Sequence, residues 1–102
     1  MYTMDNMAKL GQLGKLAEDG MKGFQALDAG ALKDGAIPKK YKEMIALGVA
    51  LTTQCVYCLD VHKKAAKAAG VTDEELAEVV FIAAALRAGA ALTHGTHLLD
   101  GE

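Results

Sequence analysis

Four residues of this chain have types and spacing suited to chemistry: Glu43, Cys55, Cys58 and His62. The cysteines are the only two in the protein and form a C-x-x-C pair, and the histidine lies four positions beyond the second. Glu43 is the only acid between Asp34 and Asp60. A thiolate, not a thiol, attacks an electrophile, and a helix start with a neighbouring base lowers a cysteine pKa from about 8.5 to about 3.5–7.5. An imidazole can take or shuttle the proton while a carboxylate fixes its tautomer. Attack on a peroxide O–O bond gives a sulfenic acid, which the second cysteine converts to a disulfide. The four residues outline a redox site.

Positioning them requires helices. Met4, Met7, Ala8, Leu13 and Leu16 follow a loose helical spacing, weakened by Gly11 and Gly14. A break at Asp19-Gly20 precedes a second stripe, Met21, Phe24, Leu27 and Ala31, ended by Gly35. Pro38 suits the first turn of a third helix, which carries Tyr41, Met44, Ile45, Leu47 and Leu51 and runs to about Thr52. Thr52-Thr53-Gln54 offers a hydroxyl N-cap for a fourth helix, from about Cys55 to Ala69, closed by Gly70. Thr72-Asp73-Glu74-Glu75 reads as a capping box that opens a fifth.

That fifth helix is apolar on nearly all sides from Leu76 to Leu92. Arg87 interrupts the run and the remainder is short for a bilayer, so burial on several sides, in the bundle centre and at a subunit interface, is expected rather than a membrane span. No segment reads as a strand. The expected fold is all-α, one domain over residues 1–102, built round a central antiparallel helix hairpin.

On the fourth helix Cys55, Cys58 and His62 fall within about 60° of one another, with Asp60, Lys63, Lys64 and Lys67 on the wet face. If the third and fourth helices pair about Thr53, Glu43 stands level with position 63, roughly 1.5 Å in height from His62. Carboxylate, imidazole and thiol would then step toward the helix start. A plainer reading makes Glu43 a surface acid paired with Lys39 at i−4, and His62 a satisfied core histidine.

Composition narrows the class. With 11 Lys+Arg against 13 Asp+Glu, nothing favours a nucleic-acid backbone or an acidic membrane. The first residues, Met1-Tyr2-Thr3-Met4, open no secretory signal, and two cysteines without one suit a catalytic or metal-binding role in the cytoplasm. Hydrophobic residues make up 52% of the chain, but aromatics only 5%, and 19 alanines supply much of the apolar surface. Such small side chains bury little area, so the chain is expected to complete its core against copies of itself.

The Glu43, Cys55-Val56-Tyr57-Cys58, His62 constellation resembles the AhpD-like branch of the carboxymuconolactone decarboxylase family. The likeness extends to Gly35-Ala36-Ile37-Pro38-Lys39, to the run from Ala69 to Glu75 and to that from Ala84 to Gly89, over about residues 20–98. It implies an all-helical homotrimer or homohexamer without a cofactor, which reduces hydroperoxides or passes electrons between a dithiol or protein reductant and a peroxiredoxin. It also implies Cys58 as the sulfenic-acid-forming sulfur, Cys55 as proton donor and disulfide partner, and His62 and Glu43 as relay. Helix-dipole reasoning instead favours Cys55 as the more acidic thiol. Tyr57 stands where some members carry a histidine, and packing or the site rim is its expected place.

Two other activities fit less well: a lactone decarboxylase like the family's namesake, which needs no thiol pair, and a redox sensor or adaptor in which oxidation changes assembly. His94 and His97 could join the cysteines in a tetrahedral zinc site, but the spacing is a weak signal. Capping or packing at the end of the last helix is the expected role of these two histidines.

Overall fold

The computed structural model describes residues 3–101, which form five α-helices with no strand among them. They are α1 (Lys9–Leu16), α2 (Glu18–Leu32), α3 (Lys39–Thr53), α4 (Val56–Ala68) and α5 (Asp73–Gly95). A 3-10 turn, Met4–Ala8, leads into α1, and another, Thr96–Leu98, follows α5. α3 packs against both α4 and α5, while α1 and α2 pair with each other and α2 touches α3 only lightly.

Local chemistry accounts for most boundaries. The first break falls at Ala17 (φ −141°, ψ 71°), not at Asp19-Gly20, which lies inside α2. Acidic side chains suit a helix start, so Glu18 and Asp19 open α2 rather than interrupt it. α2 ends at Leu32, three residues before Gly35, and Pro38 is the N-cap of α3 rather than a residue of its first turn. Asp34 Oδ1 accepts the Lys39 backbone N–H there at 2.5 Å.

The hairpin between α3 and α4 has only Gln54 and Cys55 as its connector. Gln54 takes the left-handed conformation (φ 57°, ψ 42°), and Cys55 N–H donates to Ala50 O at 3.0 Å. The expected threonine cap is absent: Thr52 and Thr53 hydroxyls turn back to α3 carbonyls, including Val49 O. Cys55 itself caps α4, which begins at Val56. At the other end Gly70 (φ 90°) turns the chain. The capping box of α5 is formed, with Thr72 N–H to Glu75 Oε1 at 2.9 Å and Glu75 N–H to Thr72 Oγ1 at 3.1 Å.

The core is small. Its buried apolar residues are Leu47, Ala50, Ala66, Val71, Val79 and Ala83, and half of these are alanines. Met44, Leu51, Leu59 and Leu76 pack round them. Full burial of a Leu or Val contributes about 1.5–3 kcal/mol, and an alanine methyl far less.

Within the single chain α5 is covered on one side only. Its buried residues are Val79 and Ala83, whereas Phe81, Ile82, Leu86 and Leu92 are each more than 60% exposed. α3 covers one side of it, and Tyr41 and Ile45 of α3 are half exposed along the same groove. The run Asp73–Leu98 is long and apolar enough to cross a membrane by length and composition. The radius of gyration is 17.3 Å, against about 13 Å for a compact chain of this size, and the longest dimension is 54 Å.

Candidate redox site

The site grows out of the hairpin turn. Because α4 starts immediately after a two-residue connector, Cys55 occupies its cap in extended backbone (φ −89°, ψ 99°) and Cys58 its first turn. The two are joined as a disulfide with a Cα–Cα separation of 5.3 Å, and Cys55 Sγ accepts the Cys58 N–H at 3.3 Å. A sulfur that caps a helix receives backbone N–H donation and the positive end of the helix dipole, both of which favour a thiolate once the bond is reduced.

His62 lies one turn further along α4 on the same side. Its Nδ1 is 2.6 Å from Glu43 Oε1, so the level pairing expected from hairpin arithmetic is what the tertiary structure contains. Glu43 is 1% exposed and is the one buried charged residue among those described. Its second oxygen, Oε2, stands 2.9 Å from Lys39 Nζ, which also donates to Leu32 O at 3.1 Å. The Lys39 pairing weighed as the plain alternative therefore coexists with the histidine contact, on the other carboxylate oxygen.

Burial pushes the Glu43 carboxyl up, but the bonds from Lys39 and His62 and their charges outweigh it, holding the group below its ordinary value of 4.5. An ionised carboxylate only accepts, so Nδ1 carries the proton and Nε2 is left as the ring nitrogen for proton traffic.

Tyr57, Cys58 and His62 line a cleft of about 470 Å³, whereas Cys55 does not. Tyr57 OH accepts a hydrogen bond from Asn6 Nδ2 at 3.0 Å. Asn6 and Lys39 are site residues that sequence reasoning did not single out as such. Lys39 had the i−4 signal, while Asn6 had none, being 51 positions from its partner. Elsewhere, the rings of His94 and His97 are 6.0 Å apart where α5 ends. Among the described residues no group of three or more His, Cys, Asp or Glu side chains could hold a metal ion.

An all-helical domain with a disulfide-forming cysteine pair at a helix-hairpin turn is the class that fold and site define. The chain belongs to the carboxymuconolactone decarboxylase family, whose model matches residues 18–101. It is 38% identical over 92 residues to "Uncharacterized protein 4 in cox locus" of Paracoccus denitrificans, covering 90% of this chain and 83% of that one. A Haemophilus influenzae protein without an assigned function is 39% identical over 65 residues, covering 64% of this chain and 58% of that one. The apo crystal structure of a carboxymuconolactone decarboxylase family protein from Legionella pneumophila is similar, with a TM-score of 0.78 at 34% identity over 92% of this chain and 84% of that one.

Proposed function

We propose that this protein is a cofactor-free thiol peroxidase or disulfide reductase of the AhpD type, working through Cys55 and Cys58 with His62 and Glu43 as proton relay. One observation carries the reading: the second sulfur of a disulfide-forming pair lines the same cleft as an imidazole held by a buried carboxylate.

In the reduced protein, His62 Nε2 takes the Cys58 proton. The thiolate attacks one oxygen of a hydroperoxide, an S–O bond forms and the O–O bond breaks. The leaving alkoxide regains the proton from His62 and departs as an alcohol. Cys55 then attacks the sulfenic sulfur of Cys58, closing the S–S bond as the hydroxyl leaves as water. Two electrons and two protons from a dithiol restore both thiols. Access favours Cys58 as the attacking sulfur, and the helix cap suits Cys55 as the thiolate that resolves it.

The electron source in this reading is a cytoplasmic dithiol or protein reductant, and a peroxiredoxin is the partner in the reductase mode. The working form is a homotrimer or homohexamer, supported by the uncovered apolar side of α5 and the extended single chain. We read α5 as a subunit contact rather than a membrane span, because Val79 and Ala83 belong to the core and Arg87 Nη1 reaches Thr52 O at 2.8 Å.

The test is turnover of cumene hydroperoxide by the full chain with dithiothreitol, in wild type and in Cys58→Ser. Turnover that Cys58→Ser abolishes supports the reading. No peroxide consumption by an intact reduced pair sinks it. Lactone decarboxylation surviving in Cys55→Ser/Cys58→Ser would instead indicate the chemistry of the family's name, and a change of assembly on oxidation without turnover a redox sensor.

A further inference from the structure

The cleft over Cys58 and His62 has a wall that lies outside the family-matching region. α4 contributes Val61 and α2 contributes Phe24, but Asn6, Met7 and Leu10 come from the segment ahead of residue 18. Besides packing against α2, that segment is bonded to α4, from Asn6 Nδ2 to the hydroxyl of Tyr57, a residue between the two cysteines. The clamp thus ties the start of the chain to the very turn of α4 that carries the sulfurs. Inside it, Met7, Leu10, Phe24 and Val61 give the cleft an apolar lining continuous with Cys58. Its volume, about 470 Å³, falls within the range of small-molecule sites, about 300–1,000 Å³.

We propose that the N-terminal segment, clamped by Asn6 to Tyr57, completes a binding cleft for an alkyl or aryl substituent of the substrate, making Asn6, Met7 and Leu10 specificity-determining residues. This rests on the peroxidase reading for the identity of the reacting group, since the substituent is the one borne by a hydroperoxide attacked at Cys58. Hydrogen peroxide carries no such group and so gains nothing from the apolar wall. A cumyl or similar group would remove apolar surface from water against the wall, and that gain depends on the wall being held in place.

The experiment compares single-turnover oxidation of the reduced full-length protein by cumene hydroperoxide and by hydrogen peroxide, in wild type, Asn6→Ala, Tyr57→Phe and Leu10→Gln. The expected result is a preference for cumene hydroperoxide that falls about fivefold or more in each variant. Loss of both reactions by one common factor would mean that the segment only supports the fold, and would overturn the proposal. A second measurement does not need turnover: titration of the oxidised protein with cumyl alcohol, followed by NMR. Weaker binding in the three variants supports the cleft. Equal binding in all four proteins, or none in wild type because another chain covers the cleft, overturns it. If neither peroxide reacts with wild type, the peroxidase reading fails, and the alcohol titration still decides the cleft.

Discussion

Glu43 Oε1 and His62 Nδ1 meet at 2.6 Å across the α3–α4 hairpin, with the carboxylate sealed from solvent and its other oxygen taken by Lys39. The imidazole is thereby held in one tautomer. Replacing Glu43 by Gln keeps the shape but removes the charge that selects it. Peroxide kcat/KM in Glu43→Gln should fall about tenfold to a hundredfold, and in His62→Gln about a hundredfold or more. Values within twofold of wild type would remove both from the relay.

Stability should depend on pH through the same carboxylate. Its folded-state pKa lies below its ordinary value of 4.5, so the stabilisation it provides is fully present above 4.5 and is lost as pH falls through the lower folded value. Thermal midpoints followed by circular dichroism on acidification should drop more steeply in wild type than in Glu43→Gln. Asp73, bonded to Lys67, and Glu75, in its capping box and paired with Lys40, are also held below their ordinary values, so the variant should retain part of the slope. Parallel curves would show that the Glu43 pairs contribute nothing.

The two sulfurs should behave differently. After one equivalent of cumene hydroperoxide, wild type should lose two hydrogens in mass. Cys55→Ser should hold a sulfenic acid on Cys58 that dimedone traps, and Cys58→Ser should react slowly or not at all. A dimedone adduct on Cys55 in Cys58→Ser, with none in Cys55→Ser, would reverse the assignment.

Assembly is tested on α5. Phe81 is 74% exposed and Ile82 62% in the single chain. Light scattering should give a wild-type mass of three or six chains. Phe81→Glu or Ile82→Glu should reduce it, because a charge placed in a dry interface is costly. A one-chain mass for wild type would end the oligomer reading and require another cover for this surface.

The hairpin connector offers a stabilising change. Gln54 is the non-glycine residue with positive φ among those described, at 57°. Gln54→Gly should relieve the cost of a Cβ in that region and add about 0.5–1 kcal/mol. Chemical denaturation would read it, and destabilisation would mean that the Gln54 side chain holds the turn.

Much of this protein is legible in its amino-acid order because its helices are punctuated locally. The capping box at Thr72, the turn at Gly70 and the C-x-x-C spacing depend on residues within one or two turns of each other. Even the Glu43–His62 meeting follows, to within one residue, from counting outward from Thr53 along the hairpin. Local rules misled where two short-range signals compete. Thr52 and Thr53 can bond back to α3 or cap α4, and the left-handed Gln54 carries them to α3, leaving Cys55 as the cap. Asp19-Gly20 looks like a break, yet the acids serve a helix start.

Other features needed the third dimension. The Asn6–Tyr57 clamp depends on how the segment ahead of α1 approaches α4, and the burial of Glu43 on how α3 packs against its neighbours; side-chain periodicity encodes neither. The same holds for α5: a helix apolar all round has no preferred side of its own, so only packing against α3 decided which residues it buries and which it leaves uncovered.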